Sequence, residues 1–150
     1  MKNLFLICLV SLLSIGFASA QWSIGARFDG APGLSLKSYS KSGSILFEAI
    51  AATNLDNQFD GEGFALTLLG EKFGPLSENG KLGAILGIGE TMVFGDDFYL
   101  GVSGILGFDW RIGRIGFQVD WLPTWIFVND SDFSPVNVAG TVRWVFGGRG

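Results

Sequence analysis

From Gln21 onward, apolar and polar positions alternate with a period of two, and Gly, Asp, Asn, Ser and Pro break the alternation at short intervals. That is the pattern of antiparallel strands joined by turns. Eight segments follow from it. The first sets Trp22, Ile24, Ala26 and Phe28 against Ser23, Gly25 and Arg27, and ends in a turn over 29–33. The second, Leu34 to Tyr39, sets Leu34 and Leu36 against Ser35, Lys37 and Tyr39. In the third, from Ser44 to about Ala52, Ile45, Phe47, Ala49 and Ala51 oppose Leu46, Glu48 and Ile50; the polar stretch Thr53 to Gly63 reads as a loop. The fourth opposes Phe64, Leu66 and Leu68 to Ala65, Thr67, Leu69 and Glu71, with a turn from Gly74–Pro75 to Asn79–Gly80.

The fifth segment, Lys81 to about Phe94, alternates Leu82, Ala84, Leu86 and Ile88 with Gly83, Ile85, Gly87 and Gly89, and 95–97 reads as a tight hairpin. The sixth places Leu100, Val102, Leu106, Phe108 and Trp110 opposite Gly101, Ser103, Ile105, Gly107, Asp109 and Arg111. The seventh alternates Ile115, Phe117, Val119 and Trp121 with Gly116, Gln118 and Asp120. After an expected loop from Leu122 to Pro135, the eighth alternates Val136, Val138, Val142, Trp144 and Phe146 with Asn137, Ala139, Thr141 and Arg143.

One face of this pattern is apolar along its whole length; the other is Gly, Ala and Ser with isolated charges. Those charges are Arg27, Lys37, Arg111 and Arg143 against Glu48, Glu71, Asp109 and Asp120, a balanced set. A water-facing sheet would carry many more charges. Small residues and paired charges suit the narrow interior of an eight-stranded barrel, and the apolar face then suits lipid. The expected fold is all-β: an eight-stranded antiparallel up-and-down transmembrane barrel over 21–150. Arg27, Glu48, Glu71, Asp109, Arg111, Asp120 and Arg143 would form a luminal ion-pair network, with Arg143 held by Asp109 and Asp120. Trp22, Trp110, Trp144 and Phe146 would form an aromatic girdle at one rim, and Phe28, Phe64, Phe98 and Trp121 at the other. The rival architecture is a secreted soluble barrel that binds a small apolar ligand inside. It needs Leu86, Leu106, Phe117 and Val142 in the interior.

Residues 1–20 read as a cleaved secretory signal peptide: Lys2, an apolar run from Leu4 to Phe17, then Ala18-Ser19-Ala20 before Gln21. Cys8 lies inside that run, so the remainder has no thiol. It carries 9 basic and 14 acidic residues, a poor balance for nucleic acid. Only 16% of the chain is charged and its mean hydropathy is +0.40, low charge for a water-soluble domain. A transmembrane strand takes about 9–11 residues, so eight use on the order of 80 positions and twelve would leave almost no connections.

Three runs carry a family resemblance: 101–110 (Gly-Val-Ser-Gly-Ile-Leu-Gly-Phe-Asp-Trp), 118–123 (Gln-Val-Asp-Trp-Leu-Pro) and 140–146 (Gly-Thr-Val-Arg-Trp-Val-Phe). Together they resemble the small outer-membrane β-barrel domain family, the OmpX/OmpA-like barrels. Phe64 to Phe73 adds a looser match, with Glu71 at the acidic position but Gly70 where an aromatic is usual; Gln21 to Gly63 agrees by pattern only. The resemblance implies a bacterial outer-membrane location and contact with its lipid. It also implies recognition of the Val142, Trp144, Phe146 strand by the assembly machinery, although residues 147–150 trail a Phe that is usually terminal.

Histidine is absent, which removes the His-dependent barrel enzymes along with His metal sites. Asp56 to Gly61 begins like a calcium loop, but its twelfth position is Thr67. Gly87-Ile88-Gly89 lies within a strand and not in a phosphate-cradling loop. Asn129-Asp130-Ser131 is a glycosylation sequon with meaning only in a eukaryotic secretory route. No enzyme activity and no cofactor are expected. The candidate partner contacts are acids and aromatics of the two longest connections: Phe59 and Asp60 in one, Trp125, Phe127, Asp130 and Asp132 in the other.

Overall fold

The computed structural model describes residues 20–40, 45–54, 63–129, 132–134 and 137–147. Ten strands are formed: β1 (Ala20–Phe28), β2 (Pro32–Ser40), β3 (Ile45–Asn54), β4 (Gly63–Pro75), β5 (Leu82–Phe94), β6 (Phe98–Ile112), β7 (Ile115–Trp121), β8 (Thr124–Val128), β9 (Asp132–Ser134) and β10 (Val138–Val145). All pairings are antiparallel: β1 to β7 pair in sequence order, β8 pairs with β6 and β9, and β10 pairs with β7 and returns to β1. The sheet is therefore a closed barrel without a free edge along its body.

Ten strands make eight barrel staves. Trp121 faces Leu106 and Thr124 faces Ser103 in the same register, so β7 and β8 are one stave interrupted only at Leu122–Pro123. Pro123 cannot donate to the ladder, yet its carbonyl still accepts from the Gly104 N–H at 2.9 Å. The expected loop from Leu122 is thus a strand as far as Val128, because one missing donor does not break the pleat. β9 pairs with β8 and β10 with β7, so both flank the β7–β8 stave on the side away from β6 and count as its last neighbour. Two turns are also shorter than their Pro and Gly content implies: Pro32 and Gly33 belong to β2, and Gly74 and Pro75 to β4.

Both described ends of the chain lie at one end of the barrel, together with the turns over 76–81 and 113–114; this is called the lower end below. The two-residue turn between Ile112 and Ile115 starts at Gly113, whose φ of 61° is left-handed and free of penalty only without a Cβ.

Alternation decides what each face meets. Leu86 (63% exposed), Leu106 (51%), Phe117 (39%) and Val142 (48%) all point outward, the reverse of what an interior apolar ligand site requires. Inward, the lumen is filled in layers. Tyr39, Leu46, Ile50, Leu69, Ile85, Ile105, Leu122 and Val145 form an apolar cluster, and charged and hydroxyl side chains occupy the remaining space. Packing is tight enough that a Cβ on Gly107 would run into the Val119 carbonyl and Asp120 Cβ.

Candidate functional site

Alternation on β1, β2, β3, β4, β6, β7 and β10 sends Arg27, Lys37, Glu48, Glu71, Asp109, Asp120 and Arg143 into the lumen, where each is essentially fully buried. Lys37 sits at the centre. Its Nζ lies 2.6 Å from Glu71, 3.3 Å from Asp109 and 3.5 Å from Glu48. Arg27 and Asp120 form a two-pronged pair at 2.7 and 2.8 Å that reaches past the intervening Thr141 of β10. Arg143 donates to Glu48 at 3.1 Å and to Gln118 at 2.8 Å.

Gln118 ties these groups together. Its side-chain oxygen accepts from both Lys37 and Arg143, and its amide donates to Asp120 and Glu48. That uses its full hydrogen-bonding capacity. Ser35 donates to Glu48 and Tyr39 to Asp109, at 2.5 and 3.1 Å. Nearer the upper end, Thr67, Thr91, Ser103 and Thr124 form a chain of three hydroxyl contacts of 2.6–2.8 Å across four neighbouring staves.

Two sequence expectations need correction. Arg111 makes no ion pair among the described residues; it is only half-buried near the lower mouth, with its guanidinium 4.7 Å from the centre of the Tyr39 ring. Arg143 pairs with Glu48 and not with Asp109 or Asp120: Asp120 is taken by Arg27, and the lumen is narrow enough for a long side chain to reach a stave that is not adjacent. Gln118 and the four hydroxyls had no distinguishing sequence signal beyond their inward positions, since neutral polar residues are common on any strand face.

On the outer wall, Trp110, Trp144 and Phe146 lie half-exposed near the lower end, as does the less exposed Trp22 of β1. Trp121 does not belong to the opposite rim. It lies halfway along the β7–β8 stave, since that strand continues past it. Trp125 and Phe127 take the upper position, their rings 6.4 Å apart edge to face, and Trp125 also opposes Phe133. They are wall residues of β8, not loop residues. Phe64, Phe94 and Phe98 continue the upper wall, at ring separations of 6.5 and 5.4 Å. Asp132 falls in β9, while Phe59, Asp60 and Asp130 lie outside the described residues. Glu90 is within β5 and faces outward between Leu68 and Val102.

Chemically, the luminal carboxylates are closed off by packing and engaged by cations, so they have no reach to an external substrate. Among the described residues, no group of three or more His, Cys, Asp or Glu side chains is placed to hold a metal ion.

No protein-family model matches the chain, and neither does any curated protein. Solved structures do. The crystal structure of Neisserial surface protein A (NspA) is similar with a TM-score of 0.50 at 10% identity, over 83% of this chain and 93% of that one. At that identity the likeness is one of fold: NspA and this chain share the closed barrel, matched over nearly the whole of NspA.

Proposed function

We propose that the chain is a small, non-enzymatic barrel of the bacterial outer membrane with a structural or surface-interaction role at its upper end. A signal peptide over 1–20 delivers it, and the outward Val142, Trp144 and Phe146 of the last strand are read by the assembly machinery. One observation carries the reading: the barrel is inverted relative to a soluble one, with charges in its core and Leu, Ile, Val, Phe and Trp over its outer wall. Burying seven charged groups while exposing that much apolar surface to water is unfavourable on both counts; in a bilayer the same outer wall is matched to its solvent. The fold shared with Neisserial surface protein A agrees with this placement.

The test is fractionation of the expressed protein followed by gel migration in detergent with and without boiling. Recovery in the outer-membrane fraction and a change of mobility on boiling are expected. Recovery as a soluble protein with unchanged mobility overturns the reading.

A further inference from the structure

The wall of the barrel is of unequal height. β1 and β2 have nine residues each, while β4 and β5 have 13 and β6 has 15. Counted from the lower end of each strand, Phe28 stands eight residues up on β1 and Glu90 eight up on β5. Trp125 stands ten residues up on the β7–β8 stave, Phe94 and Phe127 twelve, and Phe98 fourteen on β6. With a rise of about 3.3 Å per residue and a tilt of about 45°, each residue adds roughly 2.3 Å of height. An apolar band about 25 Å tall therefore ends near Trp125 and leaves Phe94, Phe98 and Phe127 at or beyond its edge.

Two independent markers draw that edge lower still. The β1–β2 wall ends at the level of Phe28. On the tall side, at the same level, Glu90 faces outward, its carboxylate joined to no described residue by an ion pair or hydrogen bond. An unpaired carboxylate in hydrocarbon is costly, so the lipid boundary falls near it. The aromatic wall above then stands in water as an apolar patch of the kind that marks an interaction site.

Its charge is one-sided. Asp96 and Asp97 are exposed at its tip and Glu90 lies at its base, and the sequence has no Lys or Arg from 82 to 110 or from 115 to 142. Exposed Lys72, Lys81 and Arg114 are all near the lower end. A second copy in the same bilayer would bring the same acids to the same height and be repelled. We infer that the wall formed by Phe94, Phe98, Trp125, Phe127 and Phe133 is a docking surface for a cationic amphipathic peptide segment, its apolar side on the rings and its Lys or Arg side chains on Asp96, Asp97 and Glu90. This rests on the membrane reading above and names the chemistry of its partner.

The protein, reconstituted in uncharged phosphatidylcholine vesicles, is titrated with a fluorescent peptide of repeating Leu and Lys and with the same peptide carrying Gln for Lys. The cationic peptide should bind proteoliposomes at least tenfold more tightly than protein-free vesicles, and the neutral one should not. Phe98→Ser/Phe127→Ser should lose that binding, and Asp96→Asn/Asp97→Asn should weaken it severalfold, with both variants still migrating as folded barrels before boiling. Equal binding by the two peptides, or unchanged binding by the folded variants, overturns the inference. A nitroxide on Phe98→Cys, in a Cys8→Ser background, should be reached by a water-soluble nickel chelate more readily than by oxygen. The opposite accessibility puts the ring in lipid and overturns the docking surface while leaving the membrane reading intact. Failure of the wild-type protein to float with vesicles overturns the membrane reading itself.

Discussion

Lys37 holds three carboxylates that would otherwise repel one another in a space closed to water. Replacement by Met keeps most of the volume and removes the charge, leaving Glu48 with Arg143 and taking from Glu71 and Asp109 the one cation that pairs with them among the described residues. Lys37→Met should cost about 3–5 kcal/mol in urea unfolding from detergent or lipid, the range for breaking a buried pair. Arg27 and Asp120 allow a paired measurement, because their two-pronged bond includes the shortest contact of each, although Gln118 also donates to Asp120 and Asp29 lies 3.7 Å from Arg27. Arg27→Leu alone should be costly, whereas Arg27→Leu with Asp120→Leu should recover most of the loss. A double variant as unstable as the sum of the singles would show that the two charges do not compensate each other. Seven of the eight luminal charges named from alternation are fully buried, since period two assigns a side chain to a face without further information. Their partners were not legible: the pairing of Arg143 with Glu48 joins residues 95 positions apart across the lumen.

At the scale of elements, the β7–β8 stave shows how far turn residues mislead. Leu122–Pro123 reads as a strand end, but the alternation of Trp121, Pro123, Trp125 and Phe127 outward with Leu122, Thr124 and Ile126 inward continues through it. Only one ladder hydrogen bond is lost. Pro123→Val restores that donor opposite Gly104, and should raise unfolding free energy by about 0.5–1.5 kcal/mol; a loss of stability would mean that the fixed proline φ matters more than the missing bond. Gly107 supplies the opposite case, because its bare backbone makes room for Asp120. Gly107→Ala should destabilise by about 1–3 kcal/mol through overpacking, measured by the same unfolding titration.

For the whole molecule, the sidedness of the wall makes a quantitative claim about its solvent. Leu106 is half-exposed, on the outer face, and near mid-height. In a bilayer, Leu106→Arg should lower folding free energy by about 2–4 kcal/mol, read by equilibrium folding into vesicles. On a water-facing surface the same change would lie within about 0.5 kcal/mol of zero, so a negligible effect would count against the membrane placement.

The sequence by itself determined the strand-by-strand faces, the number of staves and the separation of charges from apolar residues, because a period of two is local and survives without tertiary information. The choice of Glu48 for Arg143, the convergence on Gln118, the placing of Trp121 at mid-wall and the unequal height of the rim were decided only by the tertiary structure. Each of these depends on register accumulated around eight tilted staves, and register is a sum of strand lengths and turns in which one misread proline displaces every residue beyond it.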